Sequence, residues 1–408
     1  MRYPVSETVA PIPARHPDSP LPVPASIRLL ATTLRLDPPS DAEFRRLGEC
    51  LLVGDPLMDA VVEEMFAIGR GPGKALFDQA LAHGISSVPD APPALRALFA
   101  EVENPPSWVD PDLLHRGARV LRAGGADGTY VARDVALHGG YLFAGFNQTL
   151  LRTGALEKGS NQRFAETTRW AMDVISPGGL APGGLGHRST LQVRLIHSFI
   201  RRHVSAMPDW DVAAWGLPVN QTDMAATIHG TFIVPVAAAS ALGMFNSPRN
   251  LEAVAHVTRY VGWLIGVQDE FLPTSFRQAA RLQYLTLTAL ATPDETSRRL
   301  AMPMAEDPLQ WSFGRFQAVR RRIARSQHLS ITQGAIGPRA MRQLGLSPYV
   351  LPWYQVVRFP INALRSARMH LPGGLDRAAR RGDREMQRFM DRLGATDHIG
   401  GSVGSLHP

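Results

Sequence analysis

The sequence predicts an all-α protein folded as a single-domain helical bundle. Three observations lead to that class. Apolar residues recur at three- and four-residue spacings along most of the chain, as a helix with one buried face requires. Alternating patterns of the strand type are few. No Pro/Ser-rich linker divides the middle of the 408 residues and no internal repeat is visible, so one core is the simplest arrangement.

In chain order, residues 1–26 are rich in proline and polar side chains and read as a loose, flexible arm. The domain itself is expected over 27–395, with a flexible tail at 396–408. Candidate helices lie at 41–53, 56–69, 73–83, 93–102, 111–123, 127–152, 162–175, 190–206, 221–243, 249–268, 275–291, 309–327, 337–344, 353–369 and 376–393. Asp41, Pro56, Pro111 and Ser247 supply start signals. Ser176-Pro-Gly-Gly179 and Ala181-Pro-Gly-Gly184 mark loops. Residues 224–248 carry no formal charge, which by composition admits a membrane helix. His229, Pro235, Ser240 and Asn246 interrupt that stretch, so a buried central helix is expected instead.

Charge and cysteine usage exclude several function classes. The net charge is +7, and only two of the 43 basic residues, Lys74 and Lys158, are lysines. The arginines are scattered among 36 acids, without the aromatic-interleaved stripe that nucleic-acid binding needs. No nucleic-acid partner is expected. Cys50 is the one cysteine, so neither an intramolecular disulfide nor a cysteine metal cluster can form. It lies in an N-terminal helical pattern, a poor setting for a haem thiolate. CxxC, HExxH, GxSxG and Walker A motifs are absent. No export segment precedes the first helix, so the cytosol is the expected location, with peripheral contact to a membrane surface.

Two helices carry the candidate chemistry. In Leu191–Val204, His197 shares its side with Val193, Ile200 and Val204, while Arg194 and Arg201 flank it on the polar border. A neutral imidazole facing an apolar slot is what an axial haem ligand requires, and neighbouring arginines can pair with haem propionates. The plainer alternative is a hydrogen-bonded core histidine. In Arg163-Phe-Ala-Glu-Thr-Thr-Arg-Trp170, residues Arg163, Glu166, Thr167 and Trp170 fall on one face. That face offers a fixed cation, a carboxylate that could act as base, and a hydroxyl. An exposed Arg-Glu pair beside a packed tryptophan would give the same pattern. His229, on the uncharged helix behind Asn220, Gln221 and Asp223, competes with His197 as ligand.

Together these segments resemble the haem-b oxygenase family of bacterial rubber oxygenases (latex clearing proteins) and the membrane-bound oxygenase of fungal mycophenolic acid biosynthesis. The matching pieces are Gly54-Asp-Pro56, Phe77-Asp-Gln79, Pro106-Ser-Trp-Val-Asp110, Arg163-Phe-Ala-Glu-Thr167, Val193-Arg-Leu-Ile-His197, Gly216-Leu-Pro-Val-Asn-Gln-Thr-Asp223, Leu344-Gly-Leu346 and Leu371-Pro-Gly373. They keep their order over roughly residues 45–375. The resemblance implies an all-α fold around haem b, with iron on His197 and with Arg163 and Thr167 on the distal side. It implies O₂ as co-substrate and oxidative cleavage of a double bond. The chain departs from the rubber cleavers in carrying Glu166 where they place a lysine. It has no acid in Phe143–Gln148, where they place a glutamate base, and no export signal. The expected substrate is therefore a small apolar molecule, isoprenoid or olefinic, and not a polymer. A non-catalytic haem or O₂ carrier, and a haem-free apolar-ligand binder, stand as the alternatives.

Overall fold

A computed structural model of the protein describes residues 11–393, apart from the side chains of Ser26 and Ala155. The described residues form helices and connecting turns, with no strand among them. The arrangement confirms the all-α class.

The centre is the helix Gln221–Ala238, packed against Phe276–Leu290, Pro248–Leu264 and the segment 132–137. Its start is set by Asn220, whose side chain accepts from Asp223 N at 3.0 Å. Together with the turn that follows, Gln221–Leu242 is long and apolar enough to cross a membrane, the one such helix among the described residues. Here neighbouring helices bury Ile228, His229, Phe232 and Ile233, as expected of a core helix.

A second layer places Pro111–Ala123 between Pro248–Leu264 and the last helix, Gly374–Leu393. Glycines make both crossings possible. A Cβ on Gly117 would stand 2.3 Å from the Ala253 carbonyl oxygen, and one on Gly382 1.7 Å from that of Arg122. Arg122 then pairs with Asp383 through both carboxylate oxygens. Gly382→Ala is expected to force the last helix outward and to destabilise the fold by about 1–3 kcal/mol, the usual overpacking cost. Denaturant unfolding measures it; an unchanged midpoint would show that this crossing does not need its glycine.

A third group, Pro56–Ala67, Arg70–His83 and Pro93–Val102, shares its own apolar cluster with the His197 helix, Leu185–Ser205. Met58, Phe77 and Leu98 meet Leu191 and Leu195 there.

Several expected elements differ. The helix read over 127–152 is broken. Gly125–Val131 runs into a π-helical turn, Ala132–Leu137, and the helix restarts at Ala144–Arg152. The π-turn inserts an extra residue and turns Arg133 and Asp134, both fully buried, toward the core. The helix expected at 309–327 starts only at Gln317, after Phe316 with φ 58°. It continues to Gln343 through a kink at Gly337–Pro338, so the separate helix at 337–344 is its second half. Glu295–Glu306 was not expected; Pro303 lies inside it and hides its periodicity.

The loose arm also needs correction within residues 11–24. Ala14 and Arg15 donate backbone hydrogen bonds to the carbonyls of Ala213 and Ala214, at 2.8 and 3.0 Å. The buried Arg15 guanidinium pairs with Asp223 at 2.7 Å. Residues 1–10 and the tail from 394 lie outside the described residues.

Candidate active site

The helices enclose a cavity of about 1040 Å³. His197, Arg163, Glu166, Thr167 and Trp170 all line it, so the two helices singled out by sequence meet at one space. His229 does not line it, although its neighbours Ile228 and Gly230 do.

His197 lies deep within the molecule, and the surface it keeps opens into the cavity. Burial, reinforced by the Arg201 charge, pushes its pKa down to about 4. The ring is therefore neutral at physiological pH. Its Nδ1 is buried without a hydrogen-bond partner. The lone pair of this imidazole remains available to an electrophile in the cavity.

Arg194 and Arg201 do not line the cavity, which corrects their expected role beside cofactor carboxylates. Arg194 grips Asp55 with Nε at 2.6 Å and Nη2 at 2.9 Å, both residues buried. Arg201 grips Asp59 at 2.9 Å and also donates to the Val219 carbonyl. Bidentate pairs of this kind fix geometry as well as energy. Asp55 also caps the helix Pro56–Ala67, accepting from Met58 N at 3.3 Å. Gln221 completes the clamp by donating to the carbonyls of Gly54 and Gly266, at 2.8 and 2.9 Å. Gly54 is needed because a Cβ there would strike the Arg201 side chain at 2.8 Å. Gly54, Asp55 and Gln221 thus hold the His197 helix in register.

The Arg163 helix, Ser160–Ile175, has a clamp of its own. Ser160 donates to Asp307 at 2.7 Å, and the buried Arg133 reaches Asp307 at 3.2 Å. Trp311 Nε1 donates to Asn161 at 2.8 Å. Further along, Trp170 Nε1 donates to Thr190 at 3.1 Å and ties this helix to the His197 helix. Arg163 stands beside the buried Tyr141 phenol; burial raises that hydroxyl's pKa and the Arg163 charge opposes the rise. Thr167 donates to the Arg163 carbonyl at 3.1 Å, leaving its oxygen free to accept. Glu166 is not an isolated base: Lys158 Nζ lies 2.6 Å from its carboxylate, and both line the cavity. Cys50 is buried away from this site, its thiol pushed up to about 12 by burial.

Residues 125–367, more than half of the chain, match the family model described as "ER-bound oxygenase mpaB/B'/Rubber oxygenase, catalytic domain". The chain belongs to this oxygenase family. It is 27% identical over 241 residues to the rubber oxygenase of Streptomyces sp. (strain K30), a match spanning 55% of either protein. The chain thus matches only about half the length of that relative. A solved structure of latex clearing protein in its closed state has the same fold, with TM-score 0.56, 20% identity, and coverage of 82% of this chain and 90% of that one. Within the family resemblance, sequence reasoning missed Tyr141, the partner of Arg163, and Lys158, the partner of Glu166. The rarity of lysine was visible and could have drawn attention to Lys158. Nothing local marked Tyr141, because it reaches the site through the broken helix.

Proposed function

We propose that the protein is a haem-b-dependent oxygenase that uses O₂ to cleave a double bond in a small apolar molecule, isoprenoid or olefinic. The observation carrying this reading is His197: a neutral, uncommitted imidazole on the wall of a large cavity that also presents Arg163 and Thr167. The residues fit the cofactor. One imidazole can hold the iron, and apolar side chains such as Val193, Ile196, Ile200 and Phe146 can flank a flat macrocycle. Haem b held there would supply the iron centre at which O₂ is activated.

The chain's own groups do the rest. Arg163 presents several donors in a planar fork to a reacting oxygen that gains negative charge. Thr167 offers an acceptor one turn away. Lys158 holds an exchangeable proton at Nζ against Glu166 Oε2. Phe143, Phe146 and Leu142 exclude water and orient an apolar substrate. In the cleavage both atoms of O₂ end on the two former alkene carbons as carbonyls, so no external reductant is consumed.

The test is O₂ uptake by the reduced, haem-loaded protein with and without terpenoid substrates. Substrate-dependent uptake with carbonyl products supports the reading. Arg163→Ala is expected to keep its haem and lose about 100-fold in turnover, the usual cost of removing a preorganised donor. Full activity in that variant would place the oxygen site elsewhere.

A further inference from the structure

The helix Trp353–Met369 is built inside out. Its buried positions are polar: Tyr354, Asn362 and Ser366 face inward. Tyr354 and Asn362 donate to the buried Asp127 carboxylate at 2.6 and 2.9 Å, joined by Arg358. Its large apolar side chains point out. Val356 is 73% exposed, Val357 53% and Leu364 54%, with Ile361 beside them. In a helix resting on a polar network, the apolar face has been turned away from the core, and the described residues leave more than half of Val356, Val357 and Leu364 uncovered.

That face continues onto its neighbour. On Gln317–Gln343, Val319 and Ile323 are exposed and lie at i and i+4, with Ser326 at i+7 on the same stripe. Trp353 donates to Ser326 at 3.1 Å and joins the two stripes. Charge singles out one kind of cover. From residue 308 to residue 375 there is no aspartate or glutamate, while Arg315, Arg320, Arg321, Arg322, Arg325, Arg339, Arg342, Arg358, Arg365 and Arg368 all fall there. Arg325, Arg358 and Arg365 have acidic partners from elsewhere in the chain. Arg322 and Arg368 stay exposed beside the apolar stripe. A second copy of this face would bring arginines against arginines. An anionic lipid surface satisfies both features at once, the apolar stripe and the excess of cations.

The same helix touches the cavity from its other side, through Arg365, Ser366 and Met369. Phe245, which is 46% exposed, also lines the cavity, so the space reaches the outside next to this helix.

We propose that the face formed by Val356, Val357, Leu364, Val319 and Ile323 docks peripherally on an anionic phospholipid bilayer, placing the cavity mouth where apolar molecules partition. The test is flotation of the full chain with vesicles of phosphatidylcholine containing about a third phosphatidylglycerol, against phosphatidylcholine alone. Binding is expected to the anionic vesicles only, and to fall steeply in 1 M salt, where the Debye length shrinks to about 3 Å. Val356→Ser/Val357→Ser/Leu364→Ser removes only exposed side chains, so it is expected to fold with an unchanged circular dichroism spectrum and to bind at least tenfold more weakly. Arg322→Gln/Arg368→Gln is expected to lose about fivefold per charge. Equal binding of wild type and the triple-serine variant, or no binding at low salt, overturns the proposal. So does a stable dimer that the serine variant dissociates, since a second copy would then cover the face. None of these readouts needs turnover, so failure of the proposed activity leaves this test intact.

Discussion

On the proposed reading of His197 as the haem-holding residue, replacing it by alanine is expected to give a folded protein that no longer retains haem. The side chain makes no hydrogen bond through its buried Nδ1, and its remaining surface faces the cavity, so little of the fold depends on it. The helix that carries it is held by Arg194 and Arg201, which the substitution leaves in place. Losing a group that merely orients a metal ligand already costs about 10–100-fold in affinity. Loss of the ligand itself is expected to exceed that. The measurement is Soret absorbance per mole of protein after expression with haem supply, together with a denaturation midpoint. His229→Ala serves as the comparison, because His229 is buried beside the cavity wall without lining it. Normal haem content in His197→Ala with loss in His229→Ala would reverse the assignment.

The second large effect is expected at Arg194. Arg194→Ala leaves the Asp55 carboxylate buried with its bidentate partner gone, a change that typically costs 3–5 kcal/mol. Asp55 also caps the helix Pro56–Ala67, so the damage is expected to spread to the Phe77 and Leu98 cluster. Arg202→Ala supplies the contrast about two turns further on. Its partner Glu63 is 61% exposed, and surface pairs contribute about 0–1 kcal/mol. Urea unfolding of the two variants should therefore differ by several kcal/mol. Restoration of stability in the neutral double variant Asp55→Asn/Arg194→Met would show that the cost is an unpaired charge and not lost packing. Similar small losses in Arg194→Ala and Arg202→Ala would mean the buried clamp contributes no more than a surface pair.

The fold class was legible because helical periodicity is local: each of the helices Pro56–Ala67, Pro93–Val102 and Pro111–Ala123 opens at the residue its own cap or proline marks. That His197, Arg163 and Thr167 would share one site was implied only by the family resemblance, and all three line the cavity. What sequence could not supply was the direction of charged side chains. Arg194 and Arg201 flank His197 along its helix, yet Asp55 and Asp59, some 140 positions earlier, claim both. Glu166 likewise found its cation in Lys158, eight residues back and outside the i, i+4 pattern. The break at Tyr141–Phe143 escaped for a related reason. A π-turn is stabilised by what Arg133 and Asp134 meet in the core, namely Asp307 and His328, and those partners are distant in sequence.

The clamp on the His197 helix spans 139 residues of chain, and the cavity takes its walls from Pro22 through Met386. At a synthesis rate of about 5–20 residues per second, Asp55 leaves the ribosome on the order of ten seconds before Arg194. The N-terminal helices therefore wait as an incomplete platform with Met58 and Phe77 uncovered. Gly374–Leu393, packed through Gly382 and Arg122, supplies the last of the cavity walls, Ala378, Arg381 and Met386. Until that helix docks, the nascent chain presents an open apolar trough, a natural substrate for chaperones.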